Sequence, residues 1–527
     1  MVARWFNTAG PCEPIKNYML PAAARLPEVP ALVERESYFV VHAPRQTGKT
    51  TALRALASDL TAGGHYAAVV LSLETGRAWG DDVGAATRAV LDRARSAARA
   101  NLPPDLRPPE WPDASAGGLM SAALTAWAQA CPRPLVLFLD EIDALTGRTL
   151  ISVLSQLRDG YQDRPGYFPA SVALCGLRDV REYKAASGGD SGRLGTASPF
   201  NIKLTSLRLG DFTLDEVRAL YAQHTEEVGQ EFTAEASECA FELTAGQPWL
   251  VNALAHEMVS RMRVPVTQPI TADHVEIAKE RLIRARETHL DSLVDKLREP
   301  PVRRVMEVVL AGGETVLSPF ADDLLYVRDL RLIAQDSPAR VANPIYREII
   351  PRVLTDTMLD LVSGFPSPHS FVRRDGRFDV TALLTRFAEF WRNNEEILTA
   401  PEPYRESTPH LTLMGYLDRA VNGDGVVDRE YGVGRGRVDL LLRWFYPGPD
   451  GARAVQREAF ELKTRRPGDA DPVPGGLSQL DAYLDRLGLP TGYLVVFDQR
   501  PGAAEDVDEP LTNATSPAGR SVTVARI

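Results

Sequence analysis

Cysteine is scarce in this chain. Four thiols, Cys12, Cys131, Cys175 and Cys239, are spread over 527 residues with no Cys-x-x-Cys pair. That spacing excludes a zinc ribbon and a thiol redox motif, and it fits reduced, buried cysteines in a cytosolic protein. Long apolar runs are missing too: none approaches the ~20 residues that cross a bilayer. The first residues, Met1-Val-Ala-Arg-Trp5, lack the apolar stretch of a secretory leader. A cytoplasmic location, with no membrane contact, is expected. Nor is there an excess of positive charge. Lys and Arg number 59 against 70 Asp and Glu, a net charge of −11, so any nucleic-acid contact must be a local basic patch on an acidic body. No tandem repeat is present.

What remains is ordinary globular composition, 44% hydrophobic and 24% charged, in a length that suggests about three to four domains. A proline-rich arm, residues 1–36, ends in a short helix near Val29–Glu36. Strands are predicted at Ser37–His42, Tyr66–Leu73, Pro134–Leu139 and Ala170–Cys175, with helices at Lys49–Thr61 and Asp82–Arg99. Strand and helix alternating at this rhythm predict a parallel sheet covered on both faces. Asn101–Gly118 and Ser187–Pro199 read as loops, the first as a solvated insertion. Helical spacing follows at Leu214–Thr225, Ala234–Thr244, Trp249–Met262 and Ala272–Arg286. Residues 290–355 read as a small helical unit with a hairpin, Leu330–Ala334 and Arg340–Ala342, turning at Asp336-Ser-Pro338. Its Arg303, Arg304, Arg328 and Arg331 are either a DNA-contacting set or a solvated charged face. A linker (Ser363–Arg377), a helix (Val380–Asn394) and a compact unit near Thr399–Gln499 follow. The tail from Arg500 to Arg520 reads as disordered.

Two constellations carry chemistry. The first is Ala43-Pro-Arg-Gln-Thr-Gly-Lys-Thr50, lying between a strand and a helix. A phosphate-binding loop needs backbone N–H groups around the β-phosphate, an ammonium on the β/γ oxygens and a hydroxyl on Mg²⁺, and a helix N-terminus adds its dipole. Ala43 stands where the pattern has its first glycine. Ninety residues on, Leu135-Val-Leu-Phe-Leu-Asp-Glu-Ile-Asp143 is an apolar strand ending in two carboxylates. Asp140 is expected to hold Mg²⁺ through water and Glu141 to polarise the attacking water. The expected nucleotide-binding residues are Ala43, Arg45, Thr47, Gly48, Lys49, Thr50, Thr51 and Asp140, with Thr50 and Asp140 on the metal. Together with Gly246-Gln-Pro248, these motifs resemble the AAA+/STAND-type ATPases over roughly residues 30–355. The resemblance implies a core (37–210), a helical lid (211–289) and a winged helix (290–360). It implies that Arg178 lies near a sensor position, that Gly246–Trp249 closes over the nucleotide, and that Arg158, Arg178 or Arg193 is the arginine finger.

The second constellation is Arg437-Val-Asp-Leu440, then Phe460-Glu-Leu-Lys463, then Gln479-Leu-Asp-Ala-Tyr483. Residues i and i+2 of a strand share a face, so Glu461 and Lys463 project together, with Asp439 joining them if the strands pair. Two carboxylates suit Mg²⁺, which activates water and neutralises a scissile phosphate, while the lysine steadies developing charge. Gln479 and Tyr483 share one helix face. Arg435, Arg437, Arg443, Arg465 and Arg466 predict a local basic rim. The order G-x-x-D, E-x-K, Q-x-x-x-Y resembles the PD-(D/E)XK nuclease superfamily in its RecB-like form, over roughly residues 405–498. Val438 replaces the proline of the family name. The resemblance implies Asp439, Glu461 and Lys463 as catalytic, with Asp439 and Glu461 on the metal. It makes Pro409–Val421 the first core helix, with Glu406 or His410 as its contribution.

The expected molecule is an α/β multidomain chain. A P-loop parallel sheet with lid and winged helix (37–360) is joined by a linker and helix (361–400) to a small α/β nuclease-like domain (401–499) and a tail (500–527). The expected function is an ATP-gated, Mg²⁺-dependent DNA endonuclease, with Mn²⁺ as the alternative metal at the second site. The resemblance connects such proteins with defence against foreign DNA. The rival readings are a signalling or scaffold switch that binds nucleic acid without cutting, and a sensor that oligomerises on ATP and awaits a protein trigger.

Overall fold

A computed structural model describes residues 4–177, 205–285, 288–310, 322–336, 338–359, 370–398, 408–421, 425–433, 436–448, 453–500 and 510–527. They fall into two compact units, Met1–His289 with Arg328–Arg331, and Leu290–Val327 with Leu332–Ile527.

The first unit is built on a parallel five-stranded sheet. Its strands are β1 (Tyr38–His42), β2 (Ala67–Ser72), β3 (Leu135–Asp140), β4 (Ser171–Gly176) and β5 (Thr205–Arg208), ordered β2-β3-β4-β1-β5. β1 to β4 are mostly apolar because both faces are covered, whereas the edge strand β5 is mostly polar. Phe39, Val41, Val136, Phe138, Ala173 and Cys175 pack with α1 (Val29–Glu34) and α2 (Lys49–Ala62). Tyr38, Val40, Val69, Leu71, Leu137, Leu139 and Val172 pack with α3 (Val83–Asn101), α4 (Leu119–Ala130) and α5 (Gly147–Asp159). Because β4 lies between β1 and β3, the carboxyl ends of all three form one rim. The phosphate loop follows β1 on that rim, and Asp140 ends β3.

Asn101–Gly118 is exposed along much of its length, as expected of a solvated insertion, but it is pinned to the core: Leu106 is fully buried, its carbonyl accepts Trp127 Nε1–H at 3.1 Å, and Trp111 Nε1–H donates to Leu91 O at 3.2 Å. The N-terminal arm packs onto this unit. Phe6 and Tyr18 are buried among Tyr221, His224 and Phe232, and Trp249 Nε1–H donates to Thr8 O at 2.8 Å. The loop Ser187–Pro199 lies outside the described residues.

Four helices complete this unit: α6 (Leu214–Val228), α7 (Ala234–Thr244), α8 (Pro248–His256) and α9 (Ala272–Ala285). Thr213 and Glu216 form a capping box on α6. The helix expected over Trp249–Met262 ends at His256 and passes into a π turn, Glu257–Arg261. Gly246, with φ 75°, is packed so tightly that a Cβ there would fall 1.9 Å from Phe212 O, while Phe212 N–H donates to Gly246 O at 2.8 Å. Gly246→Ala therefore combines a left-handed backbone with a main-chain clash. It is expected to cost about 3 kcal/mol or more, read as a lowered denaturation midpoint.

The second unit opens with α10 (Thr288–Leu297), α11 (Pro300–Leu310), α12 (Asp322–Asp329) and α13 (Pro344–Leu359). The expected hairpin is reduced to one antiparallel bridge, Ile333–Val341, flanked by Ala334 N–H to Arg340 O and Ala342 N–H to Leu332 O. Arg304 and Arg331 are engaged by Asp323 and Asp211, which favours the structural reading of that face.

Next come α14 (Val380–Leu398) and α15 (Thr408–Val421), then a mixed six-stranded sheet. Its strands are β6 (Gly425–Val433), β7 (Gly436–Pro447), β8 (Arg453–Arg465), β9 (Thr491–Asp498), β10 (Leu511–Thr515) and β11 (Ser521–Arg526), ordered β10-β11-β9-β8-β7-β6. β6, β7 and β8 form an antiparallel meander, and α16 (Val473–Leu487) carries the chain from β8 to its parallel neighbour β9. Leu441, Ala459, Leu494 and Val496 face α16, meeting Leu480, Tyr483 and Leu484. Phe497, one residue out of phase, meets Phe387 and Trp391 of α14 on the other face. Of the tail expected to be disordered, Arg500–Arg520, residues 501–509 lie outside the described residues and Leu511–Thr515 forms β10; beyond it Val522 and Val524 of β11 are buried, and β11 pairs in parallel with β9.

Candidate functional site

The first site grows out of the turn between β1 and α2. The loop takes a left-handed backbone at Gln46 (φ 60°) and Gly48 (φ 85°), whereas Ala43 has no positive φ. The methyl at position 43 is therefore unstrained; it is buried, and the Ala43 amide donates to Gly176 O at 3.1 Å. Thr47 is buried, with its hydroxyl donating to Pro44 O at 2.9 Å and fixing the loop from within. Arg45 is exposed. Lys49 Nζ donates to Gly176 O at 3.0 Å and stands 4.0 Å from Asp140 Oδ1. Thr50 Oγ1 donates to Asp140 Oδ2 at 2.7 Å, bringing together the two groups expected on Mg²⁺. The Thr51 hydroxyl accepts from the Cys12 amide at 3.1 Å. A cavity of about 120 Å³, lined among others by Asn7, Met19, Arg25, Gln46, Gly48 and Trp249, opens beside the loop. Free amides at a helix start, an ammonium and a hydroxyl–carboxylate pair beside a cavity fit a magnesium nucleoside triphosphate.

Glu141 follows at φ 61°. Its Oε2 accepts from Ser72 Oγ at 2.8 Å, and the register pairs Ser72 with Asp140. Ser72 was invisible in the sequence, since only the β2–β3 pairing brings it to the acidic pair. Its hydroxyl draws the Glu141 carboxylate toward β2. Ser72→Ala is expected to release that carboxylate and raise ATP turnover two- to tenfold, on the order of one neutral-to-charged hydrogen bond. A fall in kcat would instead show that the bond aims Glu141 productively. Of the arginine-finger candidates, Arg158 is exposed on α5, while Arg178 and Arg193 lie outside the described residues.

The second site lies where β7, β8 and α16 meet. Leu440 pairs with Phe460, so Asp439 and Glu461, one step along each strand, stand opposite one another on a shared face. Asp439 Oδ2 accepts from the Leu462 amide at 2.7 Å. Lys463 Nζ donates to Glu461 Oε1 at 2.7 Å and to Gln479 Oε1 at 2.9 Å, and Gln479 Nε2 donates to Tyr483 Oη at 3.2 Å. The structure thus brings Asp439, Glu461, Lys463, Gln479 and Tyr483 together. α16 covers part of this face: Glu461 is 0% exposed, Asp439 and Lys463 are half-buried, and Gln479 is exposed.

Burial, and then the Asp439 carboxylate, push Glu461 up to about 7, against the pull of Lys463. Its Oε2 is buried without a hydrogen-bond partner. Two opposed carboxylates, one with an orphaned oxygen, are hard oxygen donors of the kind that fits Mg²⁺ or Mn²⁺.

The other residues expected at this site are placed differently. His410 is not brought to the carboxylates. Its Nε2 lies 3.4 Å from Thr464 Oγ1 and its ring packs on Phe497, on the face that alternates away from Lys463. Arg443 is held bidentately by Asp428, and Arg465 lies 3.9 Å from Asp498. The expected basic rim is thus partly neutralised. Glu406 and Arg435 lie outside the described residues, as does the side chain of Arg437.

Residues 39–172 match the model of the ATPase family associated with various cellular activities (AAA). No curated protein matches the chain. Among solved structures, the Walker-type ATPase PABY2304 of Pyrococcus abyssi is similar at TM-score 0.46 and 12% identity, over 66% of this chain and 99% of that one. The Aeropyrum pernix ORC2 protein is similar at 0.38 and 14%, over 64% and 92%. The Thermotoga maritima RuvB Holliday junction branch migration motor is similar at 0.33 and 18%, over 62% and 91%. Among the described residues no helix is long and apolar enough to cross a membrane. With the loop, Lys49, Thr50 and Asp140 arranged as described, the match over residues 39–172 identifies an AAA ATPase domain in this chain.

Proposed function

We propose that the chain joins its ATPase domain to a metal-dependent deoxyribonuclease domain and that ATP gates the cutting site. The observation that carries the nuclease half is the meeting of Asp439 with Glu461 on neighbouring strands, beside Lys463, with Gln479 and Tyr483 arriving from α16. A fully buried Glu461 with one carboxylate oxygen unpartnered, set opposite a second carboxylate, is costly in a merely structural role, and the cost is understandable where a metal is to be held. When bound by Asp439 and Glu461, Mg²⁺ supplies an activated water and charge neutralisation at the phosphate. Lys463, kept in place by Glu461 and Gln479, steadies the negative charge that grows on the phosphate oxygens. Gln479 in turn is held by Tyr483.

In the ATPase domain, Lys49 and the loop amides bind the β- and γ-phosphates, and Thr50 and Asp140 hold Mg²⁺. Glu141 polarises the water once it leaves Ser72. The reading of the helical segments as a lid and winged helix, of DNA as the partner, and of ATP-linked self-association belongs to this proposal. The test is incubation of supercoiled plasmid with wild type, Glu461→Ala and Lys463→Ala in Mg²⁺, Mn²⁺ or EDTA, each with and without ATP. Nicking by wild type alone, and only with metal, is expected. Equal nicking by all three, or none by wild type under any condition, defeats the enzyme reading. The second outcome leaves the alternative of a nucleic-acid-binding switch that does not cut, which the tethering of Arg443 and Arg465 does not favour.

A further inference from the structure

Arg25 belongs to no motif, yet it sits where the N-terminal arm, the phosphate loop and the start of the helical segment converge. It ends a short 3-10 helix, Ala22–Arg25. Its side chain is 10% exposed. One terminal nitrogen donates to Thr47 O at 3.2 Å and the other to Gly210 O. The guanidinium lies 4.7 Å over the Phe212 ring, with Glu216 Oε1 3.8 Å from its Nε. Gly48 lies against it: a Cβ built there would stand 3.7 Å from an Arg25 nitrogen.

Peptide geometry gives this contact a consequence. The peptide between Thr47 and Gly48 is trans, so its carbonyl and its N–H point in opposite directions. By holding the Thr47 carbonyl from the arm side, Arg25 turns the Gly48 amide the other way, into the concave side of the loop. Gly48, at φ 85°, has no Cβ to resist rotation of that peptide. Something outside the loop must set it, and a bidentate guanidinium anchored on Gly210 and stacked on Phe212 is rigid enough to do so.

We propose that Arg25 is a positioning residue for nucleotide binding: it fixes the Thr47–Gly48 peptide so that the Gly48 amide is aimed at phosphate before nucleotide arrives. The proposal rests on the reading of the loop as the nucleotide site. Its distinguishing consequence is that the loss on mutation depends on phosphate. A residue that only walled the cavity would affect the nucleoside equally.

The experiment displaces fluorescent mant-ADP from the full chain with ATP, ADP and adenosine, for wild type, Arg25→Ala and Arg25→Lys. Arg25→Ala is expected to weaken ATP and ADP by about tenfold to a hundredfold, the effect of one lost or misaimed amide donor to a charged group, while adenosine changes less than threefold. Arg25→Lys, with one carbonyl in reach rather than two, recovers part of the ADP affinity and guards against an unfolded alanine variant. Equal weakening of adenosine and ADP, or unchanged ADP affinity in both variants, overturns the proposal. Failure of wild type to bind mant-ADP overturns both the proposal and the nucleotide-site reading beneath it.

Discussion

Glu461→Gln is expected to abolish metal-dependent DNA cleavage and at the same time to make the metal-free protein more stable above neutral pH. The two effects share one cause. Glu461 is fully buried opposite Asp439, and its folded-state value is raised from 4.5 to about 7. A raised carboxyl favours folding relative to the ionised form only while it keeps its proton. Below about pH 4.5 the folded and unfolded chains both carry that proton, and the wild type bears no penalty. As pH rises toward 7 the unfolded chain releases it and the folded chain does not, so stability declines across that window and levels off above it. At 1.36 kcal/mol per unit, the full penalty is on the order of 3 kcal/mol. Glutamine carries no proton to lose, and its amide faces Asp439 in place of a second carboxylate.

Denaturant unfolding of the second unit in EDTA is thus expected to show Glu461→Gln more stable than wild type at pH 8 and equal to it near pH 4. Adding Mg²⁺ should stabilise wild type and leave the variant unmoved. Cleavage should fall about 10³-fold or more in Glu461→Gln and about 10²–10³-fold in Lys463→Ala, whose ammonium acts on developing charge. A glutamine variant that gains no stability at pH 8 would remove the electrostatic case for a cation between Asp439 and Glu461.

The second large effect separates binding from turnover in the ATPase domain. Lys49→Ala removes the ammonium that stands between Gly176 O and Asp140. It is expected to lose nucleotide binding and, with it, hydrolysis. Glu141→Gln keeps the loop, Lys49 and Thr50, and leaves Ser72 an oxygen to donate to. It should bind ATP with wild-type affinity and turn it over about 10²–10⁴-fold more slowly. Filter binding of labelled ATP beside phosphate release distinguishes the two variants. If Glu141→Gln hydrolyses at the wild-type rate, the water is activated elsewhere.

How much of this was legible in the sequence follows from how local each feature is. The phosphate loop is contiguous, so its strand, Gly48, Lys49 and helix could be read directly. The residue before Glu141 was legible because an apolar strand that ends in a carboxylate is a short-range pattern. Asp439, Glu461 and Lys463 could be placed on one face because strand periodicity is two. The burial of that face could not, because it depends on where α16 docks. Ser72 and Arg25 carried no signal: their partners lie 69 and 22 residues away.

The proline-rich segment 101–118 looked solvated because proline and polar residues dominate it, yet Leu106 and Trp111 each find a partner in the core. β10 and β11 were missed for a related reason. Thr512, Asn513 and Thr515 are polar because β10 is the sheet edge, and Val522 and Val524 alone make too short an alternation to outweigh the glycine and proline beside them. The helices α4 and α5 were overlooked between stronger signals. The two readings of the Arg304 and Arg331 charges could not be separated in the sequence, because Asp323 and Asp211 are brought to them only by the fold.

The central claim is that the ATP site controls the cutting site, and the most direct measurement is the Mg²⁺-dependent plasmid nicking rate with and without ATP in wild type, Lys49→Ala and Glu141→Gln. A rate that responds to ATP in wild type, stays locked in its ATP state in Glu141→Gln and ignores ATP in Lys49→Ala is the predicted result. Nicking that proceeds at one rate in all three proteins, whether or not ATP is added, would contradict the account.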